Sequence, residues 1–137
     1  MTGFALDPTL AADTVAVGDL GLSTLLLARD ARFPWLILVP RRPGMVEIID
    51  LAPADRALLL DEIAAVSEAL RSVTGCDKLN VAALGNQVRQ LHVHVIARFR
   101  TDPAWPRPVW GSGEPVAYEA AARDRLRGQL RQGLSLT

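Results

Sequence analysis

Gln90-Leu91-His92-Val93-His94-Val95-Ile96 holds both histidines of the chain, two positions apart inside an apolar run. An extended strand turns alternate side chains to opposite faces, so Gln90, His92 and His94 share one face while Leu91, Val93 and Val95 share the other. One face suits packing and the other chemistry, because imidazole exchanges protons near neutral pH and, when neutral, is also a nucleophile. Other readings compete. The pair could be solvated surface residues, but valines and an isoleucine back them. It could serve structure alone. It could hold zinc, yet a structural zinc takes four protein ligands and a catalytic one usually three, and only Cys76 and scattered carboxylates remain to complete a set. Catalysis or phosphate binding without a metal is the reading carried forward.

Outward from this strand, the elements alternate in a way that gives the fold class. Thr14 to Val17 is a short strand followed by a turn at Gly18-Asp19-Leu20-Gly21. Leu22 to Arg29 and Trp35 to Pro40 are strong strands joined through Asp30 to Pro34, and Met45 to Leu51 is an irregular crossing. After Pro53, suited to a first helical turn, apolar residues recur at Leu59, Ile63, Val66, Leu70 and Val73, and Gly75 stops the helix. Asp77 to Ala83 and Gln90 to Phe99 are further strands. An antiparallel sheet of about five strands with one long helix across one face is an α+β layout. Trp105-Pro106-Arg107-Pro108-Val109-Trp110-Gly111 is too punctuated for regular structure, and Pro115 to Leu130 reads as a short C-terminal helix. The expected organisation is one domain over residues 1–104, with residues 105–137 as an arm and helix packed on that domain or on a dimer partner.

Composition excludes several classes. The chain has 137 residues, half of them hydrophobic and 22% charged, with 15 basic and 15 acidic side chains. That is an ordinary globule with no global field toward nucleic acid or membrane. Between Gly85 and Arg107, however, Arg89, Arg98, Arg100 and Arg107 face only Asp102, so an anionic ligand near the histidines is expected. Lone Cys76 excludes an internal disulfide and fits a reducing compartment. Met1 to Asp7 has no basic or long apolar stretch, so no secretory signal is visible and a cytoplasmic location is expected.

The heptapeptide resembles the signature of the histidine triad (HIT) superfamily, His-φ-His-φ-His-φ-φ with φ apolar, except that Gln90 stands where the first histidine would be. Asn80, Gly85-Asn86-Gln87-Val88-Arg89, the strand pair around Asp30, the Leu-Val-Pro ending at Pro40, the long helix and Trp105-Pro106 fall in the family's order. The resemblance spans about residues 10–106 and is similar to diadenosine polyphosphate hydrolase-like members. It implies a HIT-like fold and a nucleotide hydrolase or nucleotidyl transferase acting at an α-phosphate through a covalent nucleotidyl-histidine. By this resemblance His92 is the nucleophile and His94 supports the phosphate. Asn86, Gln87 and Asn80 supply donors to its oxygens, and Asp30 accepts bonds from ribose hydroxyls. Gln90 can donate to a phosphate but cannot carry a proton, which favours dinucleoside polyphosphates, whose leaving groups need no acid, over phosphoramidates. A nucleotide-binding or sensing module without turnover is the alternative. No cofactor is implied beyond magnesium accompanying a polyphosphate, and the expected partners are a nucleotide and a second copy of the chain. In that homodimer the arm from Trp105 to Trp110 would complete or border the partner's site, or else fold back on its own subunit.

Overall fold

A computed structural model describes residues 3–136; Met1 and Thr2, the start of the stretch read for a signal, and Thr137, the end of the arm, lie outside it. The regular elements are α1 (Pro8–Asp13), β1 (Thr14–Asp19), β2 (Ser23–Ala28), β3 (Trp35–Pro40), a 3₁₀ turn (Ile48–Asp50), α2 (Pro53–Thr74), β4 (Lys78–Ala82), β5 (Val93–Arg98) and α3 (Ala120–Gly133). The five strands form one antiparallel sheet in the order β1-β2-β3-β5-β4. The fold class is therefore the expected α+β arrangement.

The central strands are apolar on both faces because both faces are covered. On one, Leu25, Leu27, Leu36, Leu38, Val95 and Ala97 pack against Val66, Ala69 and Leu70 of α2 and Leu130 of α3. On the other, Leu26, Ala28, Ile37 and Val39 pack against Leu10 of α1, with Phe4 and Leu6 of the N-terminal segment beside them. Each fully buried leucine contributes about 1.5–3 kcal/mol, so the two layers together hold the histidine strand rigid. Helix α2 begins with Pro53 in its first turn and ends at Gly75, whose φ of +65° is the left-handed conformation that glycine adopts without strain. It also buries Glu62, whose carboxylate accepts the Leu22 and Ser23 N–H groups at 2.7 and 3.1 Å where β2 begins.

The coverings include more than the one long helix expected across the sheet. Helix α3 lies beside α2 on the same face, and its Leu130 is fully buried in the main core. The C-terminal chain then returns along β1, where a Cβ on Gly18 would come within 3.0 Å of Leu136 Cδ1. Helix α1 had no apolar period to reveal it. It forms because Asp7 Oδ1 accepts the Thr9 and Leu10 N–H groups and Pro8 suits the first turn. The arm folds back on its own chain, with Ala104 and Val109 buried against Phe33 and Ile96.

Candidate functional site

Strand alternation carries His92 and His94 onto the face opposite α2, in register with neighbours that define their surroundings. His94 lies across from Ile37 on β3 and Ala82 on β4, and Ile96 lies across from Trp35 and Asn80. Both histidines are buried, and their rings meet edge to face with centroids 4.9 Å apart. Trp35 and Trp110 close around His94, with centroids 5.7 and 5.0 Å from it, and touch each other edge-on at 5.6 Å.

The two imidazoles have different partners. His92 Nδ1 lies 2.7 Å from the Gln90 carbonyl oxygen. A carbonyl only accepts, so Nδ1 carries a proton, and in the neutral ring Nε2 then keeps its lone pair. His94 Nδ1 instead accepts from the Trp35 indole Nε1–H at 2.9 Å. Burial, followed by the nearby His92, lowers the His94 pKa from 6.5 to about 4, so it is neutral at pH 7. A groove of about 290 Å³, lined by residues 46–49, 83–85 and 90–92, opens beside His92.

The other expected site residues divide into two groups. Asn86 and Gln87 are exposed on the turn between β4 and β5, next to Gly85 of the groove lining. Asn80 shares the histidine face, and its amide oxygen accepts from Arg98 Nη1 at 2.8 Å. Gln90 is committed elsewhere. Its Oε1 accepts the Asp7 N–H and its Nε2 donates to the Ala5 carbonyl, both at 2.8 Å, so the amide offered to a phosphate is tied to the N-terminal main chain.

Asp30 is committed too. Its oxygens accept from Arg32 Nε and Nη2 and from the N–H groups of Arg32 and Val116. Burial would raise its pKa; the Arg32 side chain and these N–H bonds outweigh that and hold it below the ordinary value. Arg32 also donates to the Ser112 carbonyl, and the Ala31 N–H donates to Val116 O. The Asp30 carboxylate thus holds the arm that carries Trp110.

Local charge is also lower than the sequence suggests. Arg98 is buried and paired with Asp102 at 2.8 Å, and it donates further to Asn80 and the Arg107 carbonyl. Arg89, Arg100 and Arg107 remain exposed. Among the described residues no group of three or more His, Cys, Asp or Glu side chains is placed to hold a metal ion. Trp35 was not singled out from the sequence. Its signal was an indole at the start of an otherwise aliphatic strand, in phase with Ile37 on the histidine face.

A five-stranded antiparallel sheet presenting two buried histidines from one strand, beside a glycine turn, defines a histidine-triad domain. The chain belongs to the HIT domain family, which matches residues 9–101 and comprises nucleotide-binding proteins, nucleotidyl hydrolases and transferases. A histidine triad protein from Bradyrhizobium japonicum is similar at 52% identity and TM-score 0.95, over 96% of this chain and 98% of that one. A histidine triad protein from Sinorhizobium meliloti matches at 45% and 0.95, over 98% and 99%. One from Marinobacter aquaeolei matches at 45% and 0.93, over 96% of each chain. No curated protein matches the chain. Among the described residues no helix is long and apolar enough to cross a membrane.

Proposed function

We propose that the protein is a nucleotide hydrolase or nucleotidyl transferase that attacks the α-phosphate of a dinucleoside polyphosphate-like substrate through His92. The observation that carries this reading is the His92 Nδ1–H bond to the Gln90 carbonyl, which leaves the Nε2 lone pair available in a buried site. Nε2 forms a bond to the α-phosphorus as the bond to the bridging oxygen breaks, and the electron pair leaves with the departing nucleoside phosphate. The Gln90 carbonyl supports the positive charge that develops on the ring, while the Asn86, Gln87 and Asn80 amides serve the phosphate oxygens. Water or another acceptor then takes the nucleotidyl group and frees Nε2.

The leaving group follows from the proton inventory. Neutral His94 is a hydrogen-bond donor rather than a strong acid, and Gln90 carries no exchangeable charge. Substrates whose leaving group departs as an anion are therefore preferred over phosphoramidates. The same reading places the reaction in the cytoplasm and makes a homodimer the working unit. It also has magnesium arriving only with a polyphosphate substrate. In the second reading the pocket holds a mononucleotide without turnover, which the engagement of Gln90 by the N-terminal chain favours.

The test is to offer dinucleoside polyphosphates, nucleoside phosphoramidates and nucleotide sugars, follow mononucleotide release, and quench in alkali, where a phosphorus–nitrogen bond to histidine survives. A mononucleotide mass on the peptide containing His92 supports the enzyme. Tight mononucleotide binding with neither turnover nor adduct selects the binding module instead.

A further inference from the structure

We propose that Trp35 is a positioning residue that fixes which ring nitrogen of His94 carries its proton, and so makes the two histidines chemically unequal. The consequence for phosphate chemistry rests on the function proposed above; the proton assignment does not. Indole has an N–H and no acceptor. Its Nε1 lies 2.9 Å from His94 Nδ1, so this contact is a hydrogen bond only when Nδ1 keeps its lone pair. The proton of neutral His94 then sits on Nε2. Protonating His94 would set two N–H groups against each other at that distance, so the same contact opposes the imidazolium.

His92 is biased in the opposite sense, since its Nδ1 must donate to the Gln90 carbonyl. Two rings 4.9 Å apart therefore present a lone pair at His92 Nε2 and an N–H at His94 Nε2. A phosphate under attack by one nitrogen needs a donor beside it, not a second lone pair. Trp35 is the hydrogen-bond partner of His94 among the described residues. It is held in place as the first residue of β3, across from Ile96 and edge-on to Trp110. The side chains placed against His94 are Trp35 and Ile37 from β3, Ala82 from β4, Trp110 from the arm and His92 from its own strand; of these only His92 has an ionisable side chain.

The experiment reads the imidazole nitrogens by NMR in the full chain from about pH 3.5 to pH 8, in the parent and in Trp35→Phe, a span that includes the parent His94 pKa of about 4. The parent is expected to show an unprotonated Nδ1 and a protonated Nε2 at His94, with a nitrogen–nitrogen coupling from the Trp35 indole to His94 Nδ1. Trp35→Phe should lose the coupling, give a mixture of tautomers and shift the His94 titration upward. The acid limb of kcat/KM for mononucleotide release should move with it. An Nδ1–H tautomer or no coupling in the parent overturns the proposal, as does a Trp35→Phe variant with unchanged His94 nitrogens. The coupling is read in the parent protein, so a variant that fails to fold leaves that test intact. The expected nitrogens in a protein that turns over no nucleotide would support the proton assignment while refuting nucleotidyl transfer.

Discussion

Gln90 Oε1 accepts the Asp7 N–H at 2.8 Å, and with the Nε2 bond to the Ala5 carbonyl it ties the N-terminal segment to the histidine strand. An amide does this well, because one planar group supplies a donor and an acceptor to main chain, as a neighbouring peptide would. The segment so held brings Phe4 and Leu6 onto the apolar cluster around Ile37. Gln90 thus serves His92 through its backbone carbonyl and serves the fold through its side chain.

Gln90→Ala should therefore cost stability more than chemistry. Loss of one partly buried and one exposed hydrogen bond is expected to lower unfolding free energy by about 1–2 kcal/mol. Denaturant midpoints at unchanged slope measure it, and hydrogen exchange at Asp7 should accelerate. A drop in kcat as large as that of a His92 variant, without loss of stability, would return the side chain to the reaction.

The Arg98–Asp102 pair anchors the start of the arm. Its side chains are 2% and 3% exposed, and Asp102 also accepts the N–H groups of Phe99, Ala104 and Trp105. Burial pushes the Asp102 carboxyl up, but the Arg98 bonds and these N–H groups bring it down to about 2. Asp102→Asn should cost about 3–5 kcal/mol, because it leaves the Arg98 charge buried without compensation. A depressed carboxyl stabilises the fold above its unfolded pKa of 3.8 and loses that contribution as pH falls toward 2. The stability difference between parent and variant should therefore shrink across that window, and an unchanged difference would sink the assignment.

The site was legible where alternation and local turn chemistry decide placement, and illegible where distant segments meet. His92, His94 and the sheet followed from a period of two, and α2 from its apolar stripe and Gly75. The ribose role of Asp30 came from the family resemblance alone, and nothing nearby in sequence reveals that Val116, 86 positions away, donates to its carboxylate. Arg98 read as free charge although its partner lies only four residues on, since burial and not spacing makes that pair. Spacing along α3 likewise does not show that the Arg127 and Arg131 guanidinium groups donate to the Ala16 and Val17 carbonyls of β1. Leu130 read as the end of an appended helix, and it is fully buried.

Leu130→Ala should accordingly behave as a core truncation and destabilise the protein by about 2–5 kcal/mol. Ending the chain after Asp102, which an independent arm would tolerate, should instead prevent cooperative folding, because Ala104, Val109 and Leu130 leave with it. Calorimetric unfolding of both proteins decides between a core helix and an appendage.

Of the histidine variants, His92→Asn should retain mononucleotide affinity while turnover falls by several powers of ten, since an amide fills the space but cannot attack phosphorus. His94→Asn should be less damaging, because a side-chain amide still offers a donor. Isothermal titration beside single-turnover kinetics separates binding from chemistry, and substantial activity in His92→Asn would mean that another group is the nucleophile.

Buried His94 also writes a signature into the pH dependence of stability. Its pKa is about 4 in the fold against an ordinary 6.5, so between those values the unfolded chain binds a proton that the folded one refuses. Stability from this group is fully present above pH 6.5 and falls as pH drops toward 4, by roughly 3 kcal/mol in all at about 1.4 kcal/mol per pKa unit. His94→Asn has no such proton to refuse. The stability of the parent relative to this variant should therefore decline between pH 6.5 and 4 and level off on either side, as read from denaturant titrations at matched ionic strength. Parallel curves for the two proteins would mean that His94 ionises freely in the fold, and the Trp35 contact would then not be holding it neutral.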